Sequence, residues 1–254
     1  GTYSNCTITV TDSAGNSVTI DVNSFTIDTT APTLAEVTAV TTPTNDNTSS
    51  YTFSSTEAGT ISYSICGGNL DNASADNNTI TFDALADGNY SDCKISVTDN
   101  ASNTSDNLSV SSFTIDTVKP VLAQVTAVTT PTKDPTPGYA FSSDEAGTIS
   151  YGGSSCSPGG TSAINGTNSI SFGTLSDASY SNCTITVTDS AGNASSALSV
   201  NTFVVDTTAP SLSQATAVST PTNDTTPSYV FSSNEAGTIS YGGSCSSSTT
   251  SASS

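Results

Sequence analysis

The phrase Phe-Thr-Ile-Asp-Thr-Thr-Ala-Pro at 25–32 returns in variant form at 113–120 and again at 203–210. Its aspartates, Asp28, Asp116 and Asp206, stand 88 and then 90 residues apart. Other landmarks keep the same step: Glu57, Glu145 and Glu235 in Glu-Ala-Gly, and Cys6, Cys93 and Cys183 shortly after a tyrosine. A repeat of this length predicts one small domain copied in tandem, because solenoid units run to only about 20–50 residues. The predicted organisation is two complete units, 29–116 and 117–206, flanked by the end of one unit at 1–28 and the beginning of another at 207–254.

Alternation of apolar with β-branched polar residues, as in Thr7-Ile8-Thr9-Val10-Thr11 and Thr184-Ile185-Thr186-Val187-Thr188, predicts strands with one buried face. No stretch carries helical spacing, and Gly, Asn, Asp and Pro clusters punctuate the runs. In the first complete unit strands are expected at 33–40, 50–55, 60–65, 79–82, 90–98 and 108–115, with a variable segment at 67–78; its counterpart in the second is 157–168. Short strands at this density predict an all-β fold of tandem two-sheet antiparallel sandwiches of immunoglobulin type. Tyr90 and Tyr180, each preceded by Leu and Asp, occupy the place of a tyrosine corner. In antibody domains the tyrosine lies two residues before its cysteine, whereas Cys93 and Cys183 follow by three. An odd offset changes the strand face, so the sulfur geometry is expected to differ from the antibody bridge.

Cys66 to Cys93 and Cys156 to Cys183 both span 27 residues. Each pair is placed at neighbouring strand ends of one pole, which predicts bridges Cys66–Cys93 and Cys156–Cys183 worth about 3 kcal/mol apiece. Disulfides in a small, weakly hydrophobic β-domain point to an oxidising, extracellular setting. Cys6 and Cys245 are left over and are expected to find partners outside this segment; read circularly, they fall short of the common spacing by about 12 residues. The sequence is then either a window of a longer array, which the rarity of split domains favours, or a filament subunit. In the second case the terminal half-units of neighbouring copies would complete one another.

Charge narrows the partners. Three lysines, no Arg and no His stand against 22 acidic residues, giving a net charge of −19. Nucleic acid needs cations to displace its counterions, and an anionic lipid surface would repel such a chain. No apolar run approaches the ~20 residues that span a bilayer, and the N-terminus shows no signal-peptide pattern. Without His, the usual base for a hydrolytic nucleophile is missing; Lys94, Lys119 and Lys133 lie scattered on a strand, in a linker and in a Pro-rich loop, so no enzymatic activity is expected. Sequons at Asn72, Asn100, Asn107, Asn165 and Asn193 are what an Asn-, Ser- and Thr-rich composition produces by itself. Divalent cations are the natural partners of so many carboxylates.

Sandwich topology predicts where those carboxylates meet. The linker Asp28 should approach Glu57 and Asp99 from two loops of the following unit, and Asp116 should approach Glu145 and Asp189 in the same way. At the third junction Asp206 and Glu235 remain, and Asp12 is the corresponding loop residue of the first, partial unit. Three converging carboxylates repel unless a cation or protons neutralise them; calcium is the expected ion. The alternative is that each Asp caps its own turn.

Val-Thr-Asp-Ser-Ala-Gly-Asn at 10–16 and 187–193, a strand ending in Ile/Val-Asp, and then Thr-Thr-Ala-Pro together resemble the bacterial Ig-like repeats of large surface adhesins and biofilm-associated proteins. The resemblance covers the whole chain. It implies extracellular spacer repeats, with Ca2+ at the junctions held by Asp28, Glu57 and Asp99 and their equivalents. Asn100-Ala101-Ser102-Asn103, Lys119 in one linker and the paired cysteines depart from that pattern. The functions in view are a stalk, adhesin shaft or fibre contacting neighbouring repeats or copies of itself, a homopolymeric filament, and a binding module for surface glycans using 67–78 and 157–168.

Overall fold

A computed structural model describes residues 1–153, 156 and 160–254. Every regular element among them is a β-strand. The first 28 residues carry β1 (Thr2–Tyr3), β2 (Cys6–Thr11), β3 (Ser17–Val22) and β4 (Phe25–Thr26). Residues 29–116 carry β5 (Leu34–Thr38), β6 (Ser50–Ser55), β7 (Gly59–Tyr63), β8 (Asn72–Ala73), β9 (Asp76–Thr81), β10 (Gly88–Tyr90), β11 (Lys94–Asp99), β12 (Leu108–Ser109) and β13 (Phe113–Ile115). Residues 117–206 carry β14 (Leu122–Thr126), β15 (Gly138–Ser143), β16 (Gly147–Gly152), β17 (Ser162–Ala163), β18 (Gly166–Ser171), β19 (Ala178–Tyr180), β20 (Thr184–Thr188), β21 (Leu198–Ser199) and β22 (Phe203–Val205). The last segment carries β23 (Leu212–Thr216), β24 (Val230–Ser233), β25 (Gly237–Thr238) and β26 (Ser251–Ala252).

Strand order is the same in both central units. In 29–116 a sheet β5-β6-β9 faces a sheet β12-β11-β7-β8, with β10 paired to β13; in 117–206 the orders are β14-β15-β18, β17-β16-β20-β21 and β19-β22. Both sheets feed one core. Tyr51, Phe53 and Ile80 come from the first sheet, Ile61, Ile95 and Val97 from the second, and Phe113 from β13. The equivalent residues Tyr139, Phe141, Ile170, Ile149, Ile185, Val187 and Phe203 form the second core. Within the first, rings stack in a row, Tyr51 on Phe82, Phe82 on Phe113 and Phe113 on Tyr90, with centroids 6.0, 5.7 and 5.3 Å apart. Each such pair adds about 0.5–1.5 kcal/mol beyond area burial.

Three boundaries differ from the sequence expectation. The strand expected at 90–98 is broken between β10 and β11, and that expected at 108–115 between β12 and β13, so the chain passes between the two-stranded β10–β13 pair and the four-stranded sheet. The odd Tyr90–Cys93 offset explains the break: a continuous strand would turn one of the two outward, yet Cys93 is 1% exposed and Tyr90 packs against the core. The segment at 67–78 contains β8, which pairs with β7, and β9 begins at Asp76, earlier than 79. Residues 157–159 of its counterpart lie outside the described residues. The first strand of each unit carries a bulge, between Glu36 and Thr38 and between Gln124 and Thr126; the extra residues, Val37 and Val125, face outward.

The disulfides pair as the spacing requires, Cys66 with Cys93 and Cys156 with Cys183, with Cα–Cα separations of 5.5 and 5.6 Å. Each lies just beyond two strands paired in the same sheet, β7 with β11 and β16 with β20, so it staples neighbours within a sheet. Two disulfides indicate a non-reducing environment. Tyr90 Oη donates to the Ala86 carbonyl at 2.8 Å and Tyr180 Oη to the Ser176 carbonyl at 2.9 Å, closing the expected corners. No helix is long and apolar enough to cross a membrane among the described residues.

The end segments share the pattern without the burial. Ile8 and Val10, at the positions of Ile95 and Val97, are 53% and 64% exposed, and Cys6 and Cys245 are free. The sequence therefore writes the same inward face into every copy, and burial follows only where both sheets are present. Truncating Phe53 to Ala is expected to cost about 3–5 kcal/mol in urea unfolding. Ile8→Ala should stay within about 0.5 kcal/mol; equal costs would contradict the assignment of the core.

Candidate metal centre at the unit junctions

Each loop that carries a junction acid is built by local hydrogen bonding. After β11 the chain reverses through Asp99-Asn100-Ala101-Ser102-Asn103. Asp99 Oδ1 accepts from the N–H groups of Ala101 and Asn103, both at 2.8 Å, and Oδ2 accepts from Asn103 Nδ2 at 2.8 Å. Asp189 repeats this after β20 with Ala191, Gly192 and Asn193 at 2.8, 2.8 and 2.9 Å, and Asp12 does so with Ala14 and Asn16. The turn needs a positive φ at its fourth residue, supplied by Gly15 (90°), Ser102 (71°) and Gly192 (97°). The Glu57 and Glu145 loops are fixed differently: the hydroxyls of Ser55 and Ser143 donate to the carbonyls of these glutamates at 2.6 Å. Turn capping and convergence are thus not alternatives.

Carboxylate oxygens of Asp28, Glu57 and Asp99 come within 4.8 Å of one another, and those of Asp116, Glu145 and Asp189 do the same. The six residues lie in the two groups that topology predicted. The other three stand apart: Asp12 serves its own turn, and neither Asp206 nor Glu235 belongs to a three-residue acidic group among the described residues. Among the described residues, 207–254 holds no turn equivalent to Asp189–Asn193 that would supply a third carboxylate.

Electrostatics differ within the groups. Burial raises the Glu145 carboxyl above its ordinary value, and the neighbouring charges of Asp116, Asp189 and Asp144 raise it further. Asp99 is held low by the Asn103 side chain and by the turn N–H groups, against a smaller opposing effect of burial. The first group therefore contains an acid held low by its own turn, and the second contains one that burial and its neighbours push towards protonation. An oxygen-loving cation removes that conflict. A hard ion with oxygen contacts of about 2.3–2.6 Å has a coordination sphere about 5 Å across. Three oxygens within 4.8 Å of one another fit on such a sphere. No protein-family model matches the chain, and no curated protein does either.

Two further contacts hold the linkers and were not anticipated. Asn103 Nδ2 donates to the Asp28 carbonyl at 3.2 Å, and Asn193 Nδ2 to the Asp116 carbonyl at 2.8 Å, so each turn grips the linker backbone as well as its own aspartate. Asn193 is 5% exposed with its amide committed, and is closed as a sequon. From the preceding unit, Asp87 Oδ1 accepts from the N–H and hydroxyl of Thr117 at 3.0 and 2.8 Å. Asp177 accepts from the N–H of Thr207 and the hydroxyls of Thr207 and Thr208 at 2.9, 2.7 and 2.6 Å. The recurring Asn four residues after each turn Asp, and the Asp before each corner Tyr, were the available signals.

The Thr208 and Thr207 hydroxyls, with the Thr207 N–H, depress the Asp177 carboxyl below 3.8. A depressed carboxyl stabilises the linker tie above its unfolded value and loses that contribution as pH falls through the folded value. The Thr207 amide, followed by NMR, should keep its shift from neutral pH down past 3.8 and move only below it. The Asp177→Asn chain should show no such step; a Thr207 transition at or above the ordinary carboxyl value would contradict the tie.

Proposed function

We propose that the chain is a non-catalytic run of extracellular immunoglobulin-like repeats that spans distance as part of a stalk, adhesin shaft or surface fibre, stiffened by Ca2+ at its unit junctions. The observation that carries this reading is the pair of three-carboxylate groups at equivalent junctions, each drawing one acid from the linker and two from the next unit. An ion held there binds across the junction, so its binding energy opposes bending between units. The repeated strand order and the tyrosine corners support the immunoglobulin-like part. Disulfides and the resemblance to bacterial adhesin repeats support the extracellular setting. The net charge of −19 keeps such a shaft soluble and disfavours nucleic acid and anionic lipid.

Asp28, Glu57 and Asp99 would hold one ion and Asp116, Glu145 and Asp189 another, with nearby carbonyls and water completing six to eight oxygens. The bound ion supplies positive charge to three carboxylates that otherwise repel. A ligand at a hundredfold excess over its dissociation constant stabilises the folded state by about 2.7 kcal/mol.

Small-angle scattering and thermal unfolding of the whole chain, in chelator and then in millimolar Ca2+, test this reading. Calcium is expected to extend the maximum dimension and raise the unfolding midpoint, and Glu57→Gln combined with Glu145→Gln should abolish both effects. An identical profile and midpoint with and without calcium would overturn the calcium-stiffened shaft.

A further inference from the structure

The connection from β5 to β6 in the first complete unit contains Thr42-Pro43-Thr44-Asn45-Asp46. This loop is built before it meets anything: Thr44 N–H donates to the Thr114 carbonyl, the Thr44 carbonyl accepts from Asp116 N–H, both at 3.0 Å, and the Thr42 hydroxyl accepts from Thr114 N–H at 2.9 Å. It is thereby bonded to β13, the strand that runs directly into the linker. At its tip, Asn45 N–H donates to the carbonyl of Ala191 at 3.1 Å. Ala191 belongs to the Asp189–Asn193 turn of the following unit. The two loops touch, because a Cβ built on Gly192 would stand 3.4 Å from Asn45 Nδ2.

The chain contains its own controls. Ala14 and Ala101 occupy the position of Ala191 in turns that meet no such loop, and both are exposed; Ala191 is 8% exposed. On the other side, Thr132 repeats the bonds of Thr44, to Val204 and Asp206 at 2.9 Å, so the loop at 130–134 has the same construction. Among the described residues, however, the N–H groups of Lys133 and Asn223, at the position of Asn45, have no protein acceptor. Among the described residues, burial and bonding appear together at the junction of 29–116 with 117–206, where both the loop and the turn are present.

We propose that the 42–46 loop is a docking surface for the Asp189–Asn193 turn of the next unit, forming a latch that fixes the angle between units without a cation. The partner it fits is the Asp-x-Ala-Gly-Asn turn of a following repeat, recognised through its Ala carbonyl. The contact is made by a backbone donor and a backbone acceptor, so it does not depend on the Asn45 side chain. It also lies beside the acidic group: the turn that presents Ala191 presents Asp189 as well, and the same linker carries Asp116. The latch thus holds two of the three acids near one another before any ion arrives. This inference does not depend on the calcium reading, since it concerns the chain in chelator.

Amide hydrogen exchange by NMR on the whole chain in chelator is the test. The Asn45 N–H should exchange about tenfold or more slowly relative to those of Lys133 and Asn223 after correction for sequence, as expected for a hydrogen-bonded amide. Ala191→Gln, which puts a long side chain between the loops, should bring Asn45 to within about twofold of Lys133, while Ala101→Gln in the exposed turn leaves it unchanged. Asn45 exchanging as fast as Lys133 in the unsubstituted chain, or staying protected in A191Q, would overturn the latch. Protection that appears only after calcium is added would also overturn it while leaving the calcium reading intact.

Discussion

The organisation of the junctions depends on one side-chain amide. Asn193 Nδ2 reaches the Asp189 carboxylate at 2.9 Å and the Asp116 carbonyl at 2.8 Å, closing its own turn and fixing that turn to the linker of the preceding unit. Asn103 does the same for Asp99 and Asp28 at 2.8 and 3.2 Å. A neutral amide suits this position, because a lysine there would neutralise the acids and another carboxylate would add to the repulsion. Through this contact the acidic groups inherit their geometry from the backbone, so the carboxylates arrive at 4.8 Å or less without having to attract one another.

The linker at Asp116–Thr117 is held from both sides by groups of opposite hydrogen-bonding character, and that at Thr207–Thr208 from the preceding unit. Asp87 and Asp177 of the preceding units accept from Thr117, Thr207 and Thr208, and Asn193 of the following unit donates to Asp116. A peptide linker gripped in this manner loses most of its conformational freedom, which flexible connections retain. This orders the junction, while the units themselves escape disorder because their alternating apolar residues fill two cores in a chain with 10% charged residues. Its cores are small, and sulfur bridges and aromatic rows supplement them.

Much of this was legible in the amino-acid order. The 27-residue cysteine spacing identified both bridges, the alternation around Val97 and Val187 identified inward faces, and strand direction alone brought Asp28, Glu57 and Asp99 to one place. The missed features are those that periodicity does not encode. The break between β10 and β11 follows from competition between the tyrosine corner and the disulfide for one face, visible only as an odd offset at Tyr90 and Cys93. The short β8 has two residues and no alternation to detect. The roles of Asn103 and Asn193 were hidden because each acts on a backbone carbonyl 75 or 77 residues away, a contact that leaves no local pattern.

The central claim is that residues 29–116 and 117–206 form two separately cored units whose relative orientation is set by the junction. Residual dipolar couplings measured for backbone amides of both units in one aligned sample test it most directly. The account predicts that a single alignment tensor describes both units, with the couplings fitting the junction geometry around Asp116. Two tensors of clearly different magnitude, one for each unit, would show that the units move independently and would contradict it.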